Sequence, residues 1–210
     1  MVIKNNFIIK KILENKNSNK TIFRDKKTHI SWKNLYKISN FNSKKLSKYK
    51  PNNVLIVCDR SIETVIAITT VILSGKTFCP VSEKIPTKKI KFIMKKLKTN
   101  LIINTAKKNY KNLKFKKINI NKKFVNKNEN FNNKSIKNDI CYILFTSGST
   151  GEPKGVILSY SNLQNTIDWS KNYLNWKKND TIGIATNFSF DISMFDFISS
   201  IYHNVKSVIF

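Results

Sequence analysis

Between Asn53 and Asn104, short β-branched runs alternate with helical patterns, and this order leaves the chain few folds to adopt. "NVLIVC" (53–58) is apolar throughout, as in a parallel strand buried on both faces. Ser61 to Ser74 follows, apolar almost all round, with Gly75 as its stop signal. After the short strand "TFCPV", Pro86 opens a helix with Ile90, Ile93, Met94 and Leu97 on one face. Lys89, Lys91, Lys95 and Lys96 take the other face, and "LIIN" (101–104) closes the unit. Strand–helix–strand–helix–strand predicts a parallel sheet with right-handed crossovers, an α/β protein.

Upstream, "TIFRDKKTHISW" predicts a hairpin turning at Asp25-Lys26-Lys27. A helix then carries Leu35, Ile38, Phe41 and Leu46. Downstream, 106–137 is a solvated Lys/Asn-rich connection with Glu129 its only acid and one weak strand near Lys114–Ile120. A second unit, 138–210, predicts strands at 140–146, 155–159 and 181–185, helices at 161–174 and from about 193, and a last strand "KSVIF". The expected organisation is a first unit (1–105), the connection (106–137) and this second unit, with one sheet from residues 30–105 and another from 140–210.

The net charge of +27 would ordinarily point to nucleic acid or an anionic membrane. Its makeup argues otherwise: Arg24 and Arg60 are the only arginines, whereas nucleic-acid readers favour the forked guanidinium. A Lys/Asn/Ile surplus from end to end fits base bias in the gene. Cys58, Cys79 and Cys141 lack CxxC spacing and read as reduced, buried thiols of a cytoplasmic protein. His29 and His203 have no partners at metal-ligand spacing, so no metal site is expected from side chains alone. The N-terminus lacks a secretory signal, and "TVIAITTVIL" is too short to cross a bilayer, so no membrane partner is expected.

"YILFTSGSTGEPKGV" (142–156) carries the chemistry. Backbone N–H groups of a glycine-rich turn after a strand converge on phosphate oxygens, and Gly148 and Gly151 permit the close approach. Thr146, Ser147, Ser149 and Thr150 add hydroxyl donors, and Lys154 adds a mobile positive charge. The Walker spacing fails, because two residues separate these glycines and Gly155 follows the lysine. A nucleophile elbow fails too, since Ser149 lacks the upstream glycine. A generic Ser/Gly turn explains neither Pro153-Lys154-Gly155 nor the flanking strands.

This stretch resembles the phosphate-loop signature of the adenylate-forming superfamily, which includes acyl-CoA synthetases, luciferases and nonribosomal peptide synthetase adenylation domains. "ISWKNL" and "ILSGKTFCPVSEKIP" resemble further family segments, with Ser82 where an aspartate is usual. "NFSFDISMFDF" resembles the Phe-Asp-x-Ser element of amino-acid-activating members. There the resemblance gives Asp191 the substrate's α-ammonium, with Ile192 and Phe195 lining the side-chain pocket. Read alone, Asp191 is equally an ordinary helix cap. Asp196 and the preceding "NFSF" are similar to D-alanine–carrier protein ligase.

The resemblance implies the layered αβαβα N-terminal part of the fold, stopping before the barrel subdomain and the C-terminal domain. It also implies activation of an amino acid by ATP with Mg2+, then transfer to a carrier-protein phosphopantetheine thiol. The adenine- and ribose-binding motifs and the catalytic C-terminal lysine have no counterpart, so the catalytic set is incomplete and the chain alone is expected to be inactive. Asn204 replaces a usual glycine before the last strand, and strand 205–210 is expected to lack a neighbour. Three readings follow: a fragment completed by a separately encoded half, the inactive product of a decaying gene, or a basic polyanion-binding protein.

Overall fold

The computed structural model describes residues 6–110, 113–121, 131, 138–146, 152–177 and 179–210. It contains a six-stranded and a four-stranded sheet with helices packed on them. Strands β1 (Thr21–Arg24) and β2 (His29–Ser31) form the expected hairpin. Asp25 holds its turn, accepting from the Lys27 and Thr28 N–H groups at 2.8 Å each. Helix α1 (Phe7–Glu14) precedes them and buries Ile8, Ile9 and Ile12. That spacing marks one helical face.

Helix α2 (Trp32–Leu46) starts at Ser31, whose hydroxyl accepts from the Asn34 N–H. β3 (Asn53–Cys58), α3 (Ile62–Leu73), β4 (Thr77–Ser82), α4 (Thr87–Lys96) and β5 (Leu101–Asn104) give the parallel unit read from the sequence. All of α3 is buried except Glu63, and Gly75, at φ 73, ends the segment in the left-handed region that glycine tolerates. Alternation along β3 splits the core in two. Val54, Ile56 and Cys58 join the larger cluster with α2 and α3, while Leu55 and Val57 meet Ile90, Ile93 and Met94 of α4.

The weak strand is the two-residue β6 (Lys116–Lys117), paired with β5. Around it, Tyr110 is buried, and Ile118, Ile120 and Phe131 pack on the larger cluster. The rest of the chain supplies β7 (Ile140–Thr146), β8 (Lys154–Ser159), α5 (Tyr160–Leu174), β9 (Thr181–Ile184), α6 (Asp191–His203) and β10 (Lys206–Ile209).

Two expectations are corrected here. The sheets do not divide at the connection: β7 adds in parallel to β4, and β8 returns antiparallel as the edge, giving the order β6-β5-β3-β4-β7-β8. The second sheet has the order β2-β1-β10-β9, mixing both ends of the chain. The closing strand β10 therefore has two neighbours, β1 and β9, both parallel to it. Its Ser207 is fully buried and shares a short hydroxyl–hydroxyl hydrogen bond with Ser200 of α6, which seals that face of the sheet.

Asn204 lies in the left-handed region at φ 54, ending α6 as glycine would. Its side chain accepts from the Trp32 indole N–H at 2.9 Å and donates to the Asn15 side chain at 3.3 Å. The three cysteines are free and buried, and burial pushes each thiol upward.

Candidate active site

The parallel strands β3, β4, β5 and β7 all end on one side, where ligands of open α/β sheets bind. Thr146 ends β7 and pairs across the ladder with Lys154, the first residue of β8. Both are exposed, so the ladder sets the two flanks of the phosphate-binding sequence side by side at the sheet edge. Ser147, Gly148, Ser149, Thr150 and Gly151 lie outside the described residues.

Gly155 shows why a glycine follows the lysine. A Cβ there would stand 3.2 Å from both Ile143 Cγ2 and Phe145 Cζ, closer than ordinary packing allows. The bare backbone lets Phe145, its partner across the ladder, lie over the strand.

Asp191 is the first residue of α6. The cap position belongs to Phe190, whose side chain makes no capping bond. The Asp191 carboxylate is exposed and accepts from the adjacent Ile192 N–H at 2.8 Å. The positive end of the helix therefore favours its charge. Among the described residues no lysine or arginine forms an ion pair with it.

Beside Asp191 opens a cavity of about 330 Å3 between β7, β8, α5 and α6. Leu158, Leu163, Ile167 and Ile198 make it apolar, Phe195 contributes one wall, and Asp191 and the exposed Ile192 stand at its rim. The three residues expected to hold an amino acid thus share one cavity. Tyr142 also lines it, and burial pushes its phenol upward, with Cys141 and the Asp191 charge acting in the same direction. The phenol therefore stays protonated at neutral pH, a donor near the rim that the sequence did not mark as part of the site.

The loop entering α6 is also held by Asn187, Arg60 and Ser193. Asn187 donates to the Cys58 carbonyl at 3.1 Å and to the Glu83 carboxylate at 2.9 Å, tying the loop to the ends of β3 and β4. Arg60 donates to the Ala185 carbonyl at 3.0 Å. Ser193 is fully buried and shares a short hydrogen bond with the Thr186 hydroxyl. The roles of Asn187 and Arg60 depend on partners more than a hundred residues away in the chain, and no local pattern announces them. Among the described residues no three His, Cys, Asp or Glu side chains converge as a metal cluster.

Two sheets flanked by helices, a hairpin carrying the glycine-rich sequence at the carboxyl ends of parallel strands and an acid at the rim of an apolar cavity define an α/β fold with a candidate ligand site. The match to known families is direct: the AMP-binding enzyme family covers residues 11–210, and the chain belongs to it. It is 30% identical over 178 residues to zwittermicin A synthase ZmaJ of Bacillus cereus, covering 81% of this chain and 34% of that protein. It is 27% identical over 164 residues to bacitracin synthase 3 of Bacillus licheniformis, covering 76% of this chain and 3% of that protein. O-succinylbenzoate CoA synthetase (MenE) of Bacillus subtilis, solved with the acyl-adenylate OSB-AMP, superposes with a TM-score of 0.80 at 16% identity. The adenylation domain AlmE of Vibrio cholerae, solved with glycyl-adenosine-5'-phosphate, gives 0.78 at 18%. These likenesses show the fold. They cover 98% and 99% of this chain but 55% and 45% of those structures, so the chain spans about half their length.

Proposed function

We propose that this chain is the ATP- and amino-acid-binding part of a ligase that activates an amino acid as its adenylate and passes it to a carrier-protein thiol. The observation that carries this reading is the exposed Asp191 carboxylate, without an ion-pair partner among the described residues, at the rim of the apolar cavity shared with Ile192 and Phe195. An α-ammonium entering there gains a countercharge, which offsets the cost of its lost hydration. The cavity is at the small end of ligand pockets, which favours a small or medium neutral side chain, as in D-alanine ligases. An aminoacyl-adenylate in the AlmE structure is in keeping with this.

At the other end, Thr146, Ser147, Gly148, Ser149, Thr150, Gly151 and Lys154 hold the β- and γ-phosphates of ATP by hydroxyl, backbone and ammonium contacts. Their contribution is positioning, and neutralisation of the charge that moves onto the leaving pyrophosphate. Magnesium, when bound, supplies part of the same neutralisation. With no acidic cluster among the described residues, it would rest mainly on phosphate oxygens and water.

The test is an adenylation panel of amino acids and their des-amino analogues, run on an enzyme carrying this chain with the remainder of the fold. Because Asp191 is exposed, solvent screens its pairing, and Asp191→Ala should cost about one to two decades in kcat/KM for amino acids. It should also erase the preference over des-amino acids. If the wild-type protein uses both equally, Asp191 only complements the helix end and the amino-acid assignment fails.

A further inference from the structure

At the opposite end of the six-stranded sheet from the phosphate loop lies an open groove of about 760 Å3. Its rim is lysine: Lys91 and Lys95 one turn apart on α4, Lys98 just after that helix, and Lys114 on the approach to β6. All four are exposed. Met94 and Leu113 provide an apolar floor. Among the described residues no carboxylate lines the groove and none pairs with these four ammonium groups. The sequence has no Asp or Glu between Glu83 and Glu129, the stretch that holds all four.

Base bias in the gene multiplies lysines everywhere, but elsewhere acids are interspersed, as where Lys11 meets Glu14 and Asp25 precedes Lys26 and Lys27. Here four like charges surround one concavity with nothing to neutralise them, so an anionic occupant relieves their mutual repulsion. The lining decides which kind of anion. No arginine offers a fork to phosphate or base edges, and no aromatic ring lines the groove to stack a base. An apolar floor beneath ammonium groups suits a chain in which carboxylates and apolar side chains alternate.

We propose that this groove docks an acidic segment of a partner protein, with its carboxylates on Lys91, Lys95, Lys98 and Lys114 and its apolar residues on Met94 and Leu113. The site is distinct from the adenylation site and stands or falls independently of it. The experiment is fluorescence anisotropy of the whole chain with a labelled peptide of repeated Glu-Glu-Leu. A Glu-Glu-Gly peptide of equal charge and labelled oligo(dT) serve as competing probes. Lys91→Glu combined with Lys95→Glu should weaken Glu-Glu-Leu binding about tenfold or more, and added salt should weaken it further. Lys26→Glu combined with Lys27→Glu, an equal charge change at the β1–β2 turn, should change it by less than about twofold. Circular dichroism melts establish that both variants fold. Equal weakening by the two double variants would mean that net charge alone attracts the peptide, and the proposal falls. It falls equally if Glu-Glu-Gly binds as well as Glu-Glu-Leu, if oligo(dT) binds more tightly through the same lysines, or if the peptide does not bind.

Discussion

Two aspartates on one helix show how placement sets chemistry. Asp191 is exposed at the helix start, whereas Asp196, five residues on, is half-buried, and burial alone pushes its carboxyl up to about 6. A carboxyl whose folded pKa lies above its unfolded value of about 3.9 stabilises the fold only below that value, and the benefit is lost as pH rises through 6. Asp196→Asn should therefore raise the melting temperature at pH 7 and leave it unchanged near pH 4. An equal rise at both pH values would show that the effect is packing rather than ionisation. Asp25 is the opposite case. Burial would raise its carboxyl, but N–H bonds from Ile62, Lys27 and Thr28 outweigh burial and leave it lowered. Its contribution is present at neutral pH and is lost only under strong acid.

At the scale of elements, the β7–β8 ladder fixes the spacing between Thr146 and Lys154, and Gly155 lets that ladder close. Gly155→Val should destabilise the protein by about 1–3 kcal/mol, because Ile143 and Phe145 must both shift to admit the new side chain. Phe145→Ala in the same chain should recover part of the loss, since it removes one of the clashing atoms. Thermal melts of the two single variants and the double variant measure this, and strictly additive losses would rule out the clash. Each element was legible beforehand wherever its pattern is local: the apolar run of β3, the cap-to-glycine span of α3, the one-sided face of α4. Helix α1 is harder to read, because its eight residues give the apolar face only Ile8, Ile9 and Ile12 to repeat on.

For the whole molecule, the decisive contacts join the two ends of the chain. β1 pairs with β10, and Asn204 bonds both Trp32 and Asn15. Asn204→Leu should cost about 2 kcal/mol in urea unfolding, by straining a left-handed residue and leaving the indole N–H without its acceptor. Asn204→Gly, free of strain, should cost less, and the reverse order would refute this account. Exposed apolar surface includes Phe210, just after β10, at 55% exposed, and extends to two other elements. Val156 and Ile157 are 48% and 58% exposed on edge strand β8, and Trp169 and Tyr173 are 52% and 74% exposed on α5. Ile157→Lys should reduce self-association in sedimentation velocity, whereas Val208→Lys on the enclosed β10 should destabilise the fold.

The class of fold was legible in contiguous residues, because the spacing of its elements is set by helix pitch, strand alternation and turn geometry, and the glycine-rich loop and the Phe-Asp-x-Ser element are likewise written in unbroken stretches. Only the tertiary structure decided which strands neighbour one another. β7 joined the first sheet and β1 enclosed β10, because backbone hydrogen bonds between strands are blind to sequence distance and side-chain pattern fixes only which face is buried. The same reason hid Asn187, Arg60 and Tyr142. Their roles come from carbonyls, carboxylates and a cavity that distant segments bring to them.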